Sequence, residues 1–283
     1  LILFIYLPPV AVCARVIFIE LIFYSESSMF KHFLRFLYVG VALSSTAQAD
    51  EQINVFMAGD STMSIKEVKD YPETGWGMPF QYFFNDQVQV INLAKNGRST
   101  RTFKSEGRWQ MIMDEIKPGD YVIIQFGHND QSKQKVDRYT SVPDFKANLL
   151  GFIKDVREKQ AHPLLMTPIT RRYFNEDGTI KETHPLYADA VRDVAKQTKV
   201  DFIDMEAITK RYFQALGDDG SALRFMHIAP DLHPNYPLGV TDDTHLNQLG
   251  ATEVAQLVLT ELKKMNHPLV AKVRKPDPKH LKR

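Results

Sequence analysis

Five short apolar runs separated by helical patterns restrict this chain to one fold class. The runs are Ile53–Ala58, Val88–Leu93, Tyr121–Phe126, Leu164–Thr167 and Val200–Asp204. The third is almost continuously apolar, as a strand buried on both faces of a parallel sheet must be. Helical segments are read at Trp76–Phe84, Trp109–Ile116, Leu186–Gln197, Met205–Leu216 and Ala251–Met265. Another opens at Ser141-Val142-Pro143-Asp144 and carries Phe145, Leu149, Phe152, Ile153 and Val156 on one face. The turn Lys117-Pro118-Gly119-Asp120 precedes the third strand. Strands alternating with helices predict an α/β domain with a parallel sheet of about five strands covered on both faces. No internal repeat, heptad or second domain boundary is present. The stretch from Gly217, read as ending its helix, to Asp243 reads as one long loop, which inside a compact domain is usually functional.

Of 283 residues, 44% are hydrophobic, enough for one full core after removal of a leader. Setting aside Arg15, Lys31, Arg35, Glu20 and Glu26 leaves 32 basic and 32 acidic residues. A balanced domain of this kind gives no electrostatic basis for binding nucleic acid or an anionic membrane.

The first 49 residues differ from the rest. Met29-Phe30-Lys31-His32-Phe33-Leu34-Arg35 opens a basic and then apolar stretch that ends in Ala47-Gln48-Ala49. That pattern predicts a secretory signal peptide over 29–49, cleaved after Ala49. Residue 1 is not Met, so Met29 is the expected start, and 1–28 the expected upstream or wrongly assigned sequence. A membrane span over Leu1–Tyr24 is the rival reading, interrupted by Pro8, Pro9, Arg15 and Glu20. Cys13 is the one cysteine and precedes the cleavage site, so the exported chain would hold no disulfide and no thiolate. The expected location is the periplasm or outside the cell. A catalytic domain over 50–271 and a solvated basic tail over 272–283 complete the expected layout.

Four motifs follow in order: Gly59-Asp60-Ser61-Thr62, Asn96-Gly97-Arg98-Ser99, Gly127-His128-Asn129-Asp130 and Asp242-Asp243-Thr244-His245. The first three each follow a strand, and ligands of open parallel sheets bind outside the carboxyl ends of the strands. Ser61 is the candidate nucleophile, needing a base within hydrogen-bond reach, at the head of a segment that could start a helix. Gly97 could present its backbone N–H to a developing oxyanion, an approach that any side chain would crowd. Asn129 could donate its side-chain amide to the same oxygen, together with the Ser61 amide. Asp242 and His245, three apart, would share a face in a helical turn. The carboxylate could then hold Nδ1–H and leave Nε2 to take the serine proton. Asp243 would point elsewhere.

Singly, each motif also has a plain reading: a turn or cap at Asp60-Ser61-Thr62, an Asn-Gly turn, an Asx turn at Asn129, or a capped helix start. A metal site from His227, Asp231, His233, Asp243 and His245 is a further alternative, without a helical His-x-x-x-His pattern to support it. The four motifs in order at strand ends carry weight together.

These residues resemble the SGNH, or GDSL-type, hydrolase superfamily from about Ile53 to Leu262, its four named residues falling on Ser61, Gly97, Asn129 and His245. More narrowly, Gly59-Asp60-Ser61-Thr62-Met63, Asn96-Gly97-Arg98-Ser99-Thr100 and Gly127-His128-Asn129-Asp130 resemble rhamnogalacturonan acetylesterases, which remove O-acetyl groups from pectin. Thr62 replaces the leucine of the plain GDSL pattern, as in that subfamily. The resemblance implies a flavodoxin-like three-layer α/β/α fold, a serine acyl-enzyme, no metal and no cofactor.

Arg98, Arg101, Arg171 and Arg172 follow strands two and four and could meet uronate carboxylates, although such arginines more often make surface ion pairs; Trp76 could stack on a sugar, although a tryptophan opening a helix is more often core. The expected activity is removal of acetyl from an acetylated polysaccharide. The alternatives are a lipase, thioesterase or xylan acetylesterase of the same superfamily, and a non-catalytic glycan-binding protein on an esterase scaffold.

Overall fold

The computed structural model describes residues 52–275. The expected leader and upstream segment, and the tail from residue 276, lie outside the described residues. Strands β1 (Ile53–Gly59), β2 (Val88–Asn92), β3 (Tyr121–Gln125), β4 (His162–Met166) and β5 (Asp201–Ile203) form one sheet. All its pairings are parallel and its order is β2-β1-β3-β4-β5. That is the flavodoxin-like order, and the winding direction switches beside β1. The expected α/β fold with a five-stranded parallel sheet is borne out.

Strand periodicity sorts the apolar side chains into two cores. On β1, Val55 and Met57 face one core while Phe56 and Ala58 face the other. On β3, Tyr121 and Ile123 alternate in the same way with Val122 and Ile124. Helices α1 (Gly77–Phe80), α6 (Met205–Ala222) and α7 (Gln248–Lys264) cover the first core with Phe80, Phe213, Val254 and Val258. Helices α2 (Thr100–Ser105), α3 (Arg108–Glu115), α4 (Val142–Glu158) and α5 (Pro185–Thr198) cover the second with Phe103, Trp109, Phe152 and Val191. Each such side chain, fully buried, contributes about 1.5–3 kcal/mol.

Local chemistry sets the helix starts. Ser141 accepts the Asp144 amide at the head of α4. Helix α2, which shows no apolar stripe in the sequence, starts from a capping box in which Ser99 accepts from the Thr102 amide and Thr102 Oγ1 accepts from the Ser99 amide. Among the described residues, no helix is long and apolar enough to cross a membrane.

One expectation holds and two are corrected. The regular helix from Met205 ends at Gly217 as expected: the backbone there is non-helical, with φ 70° and ψ −175°, and a second helical stretch runs on to Ala222 across the kink. Glycine tolerates that positive φ, so the chain bends there and resumes. The stretch to Asp243 is not one loop, because β6 (Phe225–Ile228) and β7 (Val240–Leu246) pair antiparallel as a separate ribbon. The turn between them is fastened to the 68–71 segment by Asn235 Nδ2, which donates to Val68 O and Tyr71 O at 3.0 and 2.9 Å. The tail is not free from residue 272. Arg274 N donates to Phe83 O at 2.8 Å, and the apolar Val270 and Val273 pack against the first core.

Candidate active site

After Gly59 the chain turns sharply. The amides of Met63 and Ser64 donate to Asp60 O, and Asp60 Oδ1 accepts from Thr62 N at 3.0 Å and Thr62 Oγ1 at 2.8 Å. No helix starts here, contrary to expectation; one 3-10 turn follows at Val68–Asp70, and the next α-helix begins at Gly77. Asp60 is fully buried and shapes the turn that carries Ser61. Its burial pushes its carboxyl upward against the bonds from Thr62.

Ser61 Oγ lies 2.9 Å from His245 Nε2, and His245 Nδ1 lies 2.7 Å from Asp242 Oδ2. The local geometry differs from the expected helical turn, because Asp242 and His245 belong to β7. Met226 pairs with Asp242, whereas its neighbour Phe225 pairs with Leu246. Asp243, Thr244 and His245 therefore have no opposite residue and bulge from the ribbon. Asp242 Oδ1 closes the bulge by accepting the amides of Thr244 and His245, at 2.7 and 3.1 Å. Burial alone would raise the Asp242 carboxyl, but the hydrogen bond and charge of His245 and these two amides hold it at about 2. Asp243 faces away, to Arg172 Nη1 at 2.7 Å and His227 Nε2 at 2.8 Å.

The sheet order sets β1 between β2 and β3, so the loops holding Ser61, Gly97 and Asn129 leave neighbouring strand ends. Gly97 has φ +79°, and a Cβ there would lie 2.9 Å from Arg138 Nη1. Asn129 Nδ2 donates to Arg98 O at 3.0 Å, which fixes its side chain and leaves its second amide proton. The Ser61 and Gly97 amides donate to no acceptor among the described residues. Three N–H groups thus lie on loops that leave neighbouring strand ends, and the serine on one of those loops has its hydroxyl bonded to an imidazole. Such a constellation can take a proton from the hydroxyl and stabilise negative charge on a carbonyl oxygen.

Buried groups support the loops from below. Asp130 Oδ1 accepts from Thr100 N at 2.9 Å and Thr100 Oγ1 at 2.6 Å, and burial pushes this carboxyl up to about 7. His128 Nδ1 and His184 Nε2 are 3.0 Å apart. Burial holds both rings well below the usual histidine range, His184 at about 3. Asp60 and Asp130 lie inside the sequence motifs, and a reading by motif could have found them. Lys66, His184 and Arg138 carry no sequence signal, because isolated cations and histidines read as surface.

The expected substrate contacts fare differently. Trp76 is fully buried, with Nε1 donating to Gln125 Oε1 at 2.8 Å, so it has no free face for a sugar. Arg98 is drawn to Glu106 at 2.8 Å, and Arg101 donates to Val136 O at 2.7 Å. What Arg98 offers the site is its carbonyl. Arg172 is held by Asp243, Asp218 and Ser221. His227 and His245 each bond a different aspartate, and among the described residues no group of three or more His, Cys, Asp or Glu is placed to hold a metal. A cleft of about 600 Å³ runs from Lys66 and Glu73 past Ile65, Val68, Tyr71 and Tyr82, and Ser61 and His245 do not line it.

Residues 57–251 match the GDSL-like Lipase/Acylhydrolase family. The chain belongs to this family. As a GDSL-like acylhydrolase it is a carboxylic ester hydrolase. It is 43% identical over 217 residues to rhamnogalacturonan acetylesterase RhgT of Bacillus subtilis, covering 77% of this chain and 92% of that protein. It is 29% identical to the rhamnogalacturonan acetylesterase of Emericella nidulans, over 72% of this chain and 82% of the other. The crystal structure of Bacillus subtilis protein YxiM superposes with a TM-score of 0.67 at 27% identity. That match covers 77% of this chain and 58% of YxiM, so the GDSL-like fold here spans a little over half of that protein's chain.

Proposed function

We propose that this acylhydrolase is an exported serine esterase that removes O-acetyl groups from a plant cell-wall polysaccharide, with pectin rhamnogalacturonan as the substrate. The observation that carries the chemistry is the continuous relay Asp242–His245–Ser61, with contacts of 2.7 and 2.9 Å. Ser61 Oγ attacks the acetyl carbonyl carbon while its proton passes to His245 Nε2. Asp242, ionised, orients the ring and stabilises the imidazolium. The amides of Ser61 and Gly97 and the side chain of Asn129 receive the oxyanion. The carbon–oxygen bond to the sugar breaks, and His245 returns the proton to the departing sugar oxygen. Water, activated by the same histidine, then releases acetate from Ser61.

The names of the two rhamnogalacturonan acetylesterase relatives support the substrate. The basic and apolar stretch from Met29 to Ala49 supports export. The test is acetate release from a panel of acetylated pectins and xylans by wild type and Ser61→Ala. Release from pectin by wild type and none by the variant is expected; full activity in the variant removes the mechanism, and preference for xylan removes the substrate.

One observation favours a second reading, a lipase or thioesterase. The cleft beside Lys66 exposes Ile65, Val68 and Tyr82, apolar surface that an acyl chain could cover. A series of p-nitrophenyl esters separates the two, since preference for acyl chains longer than acetyl would select the second.

A further inference from the structure

Lys66 has a side chain only 2% exposed, an uncommon place for an ammonium. Its Nζ donates to Ser61 O at 2.6 Å and to Asn96 Oδ1 at 2.8 Å, and it pairs with Glu73 Oε1 at 2.7 Å. Three N–H groups meet three acceptors, so the ammonium is fully satisfied. The acceptors lie on three separate segments. Ser61 is the proposed nucleophile. Asn96 immediately precedes Gly97. Glu73 bridges Asn247, and its neighbour Thr74 donates its amide to Leu246 O at 2.9 Å, next to His245. Ser64 Oγ reinforces the first two links, lying 2.5 Å from Asn96 Oδ1 and 3.4 Å from Ser61 O.

We propose that Lys66 is the positioning residue of this site, a buried cation that locks the Ser61 turn and the Gly97 turn into one oxyanion-binding frame. The inference rests on the serine-esterase reading. Oxyanion donors act only when they are held where the charge will develop, since reorganising them during the reaction forfeits their effect. Gly97 and Ser61 lie on turns after different strands, and among the described residues neither amide is fixed by a hydrogen bond of its own. The Lys66 ammonium fixes the residue before one and the carbonyl of the other. A buried charge is expensive unless it is paired and hydrogen-bonded, and Glu73 provides the pairing. Burial lowers the Lys66 pKa, and the charge and hydrogen bond of Glu73 oppose that effect.

The test uses the full chain and p-nitrophenyl acetate. Lys66→Met keeps most of the stem and removes all three donors. Expected is a fall in kcat of about 100-fold, the scale for small misplacements around a reacting atom. KM for acetate esters should stay within about threefold, because all three Lys66 donors are taken by Ser61, Asn96 and Glu73. The acid limb of the kcat/KM profile should not move, because the contacts among Asp242, His245 and Ser61 are untouched. Should Lys66→Met fail to fold, Asn96→Leu removes only the link to the Gly97 turn, and a kcat loss of about tenfold at unchanged KM is expected. A folded Lys66→Met with kcat within about threefold of wild type overturns the proposal, as does a loss carried by KM alone. If Ser61→Ala is inactive in the same assay, that outcome leaves the serine-esterase reading standing. An active Ser61→Ala removes the reading and the inference together.

Discussion

Asp242 and His245 are joined, Oδ2 to Nδ1 at 2.7 Å, across a bulge that ejects the histidine from the β6–β7 ladder. A regular strand would send residues three apart to opposite faces. The three unopposed residues, closed by two amides on Asp242 Oδ1, bring the imidazole back over its carboxylate. One aspartate therefore both builds the bend and orients the ring. Asp242→Asn separates these jobs. The amide oxygen can still accept from Thr244 N and His245 N, so the melting temperature should change little. The ring loses its anionic partner and its tautomer control, and kcat on p-nitrophenyl acetate should fall about 10⁴-fold. Steady-state kinetics with a thermal melt check both; activity within tenfold of wild type would leave Asp242 without the proposed role.

Asn129 is held by its bond to Arg98 O, which leaves its second amide proton for the proposed oxyanion. Asn129→Ala removes one donor of three. The expected cost is about 10²–10³ in kcat, or roughly 3–4 kcal/mol of transition-state stabilisation, with KM nearly unchanged. A rise in KM at constant kcat would instead place Asn129 in ground-state binding.

The parts of this molecule legible in its sequence are those set by period and by local rules. The nearly continuous apolar run of β3 showed a strand buried on both faces of a parallel sheet, because each strand face must meet its own core. Ser61, Gly97, Asn129, Asp242 and His245 stood out as motifs at element ends, and the fold brings Ser61 to His245. The geometry of the last pair was not legible. Its bulge depends on register between β6 and β7, a long-range property, and the polar run Thr241-Asp242-Asp243-Thr244 has no strand alternation. Trp76 reads either as core or as a sugar platform, because an aromatic at a helix start looks the same whether it faces solvent or, as here, Gln125. Lys66 gives no signal in the sequence, since its contacts with Ser61, Glu73 and the distant Asn96 exist only once the chain is folded.

Gly97 is a position where the backbone requires glycine. Its φ of +79° strains any side chain, and a Cβ would press on the Arg138 guanidinium at 2.9 Å. Gly97→Ala should cost about 1–2 kcal/mol from the left-handed backbone alone. Arg138 is a flexible side chain and can withdraw, so the protein should still fold. The turn would relax towards negative φ and swing the amide away, lowering kcat by tenfold or more. Denaturant melts together with kcat test this; full stability with full activity would show that the turn does not need its glycine.

Asp130 provides a pH-dependent term that can be isolated. Its carboxyl is fully buried beneath Asn129 and raised from 3.8 to about 7, burial being the main cause and the bonds from Thr100 opposing it. Between those two values the folded state keeps the proton and the unfolded state releases it. The stability this group contributes is complete below about pH 4 and is lost as pH rises through 7. In an Asp130→Asn variant the side-chain amide oxygen can still accept from Thr100, and the group does not titrate. The variant's melting temperature relative to wild type should therefore climb from pH 5 to pH 8. Each pKa unit expressed is worth about 1.4 kcal/mol, which for a domain of this size is a few degrees. The charge of Asp60, whose own carboxyl is also raised by burial, adds to the upward push on Asp130. Calorimetry at the two pH values measures the gap, and a difference that stays constant between them would mean that Asp130 is ionised in the folded protein throughout.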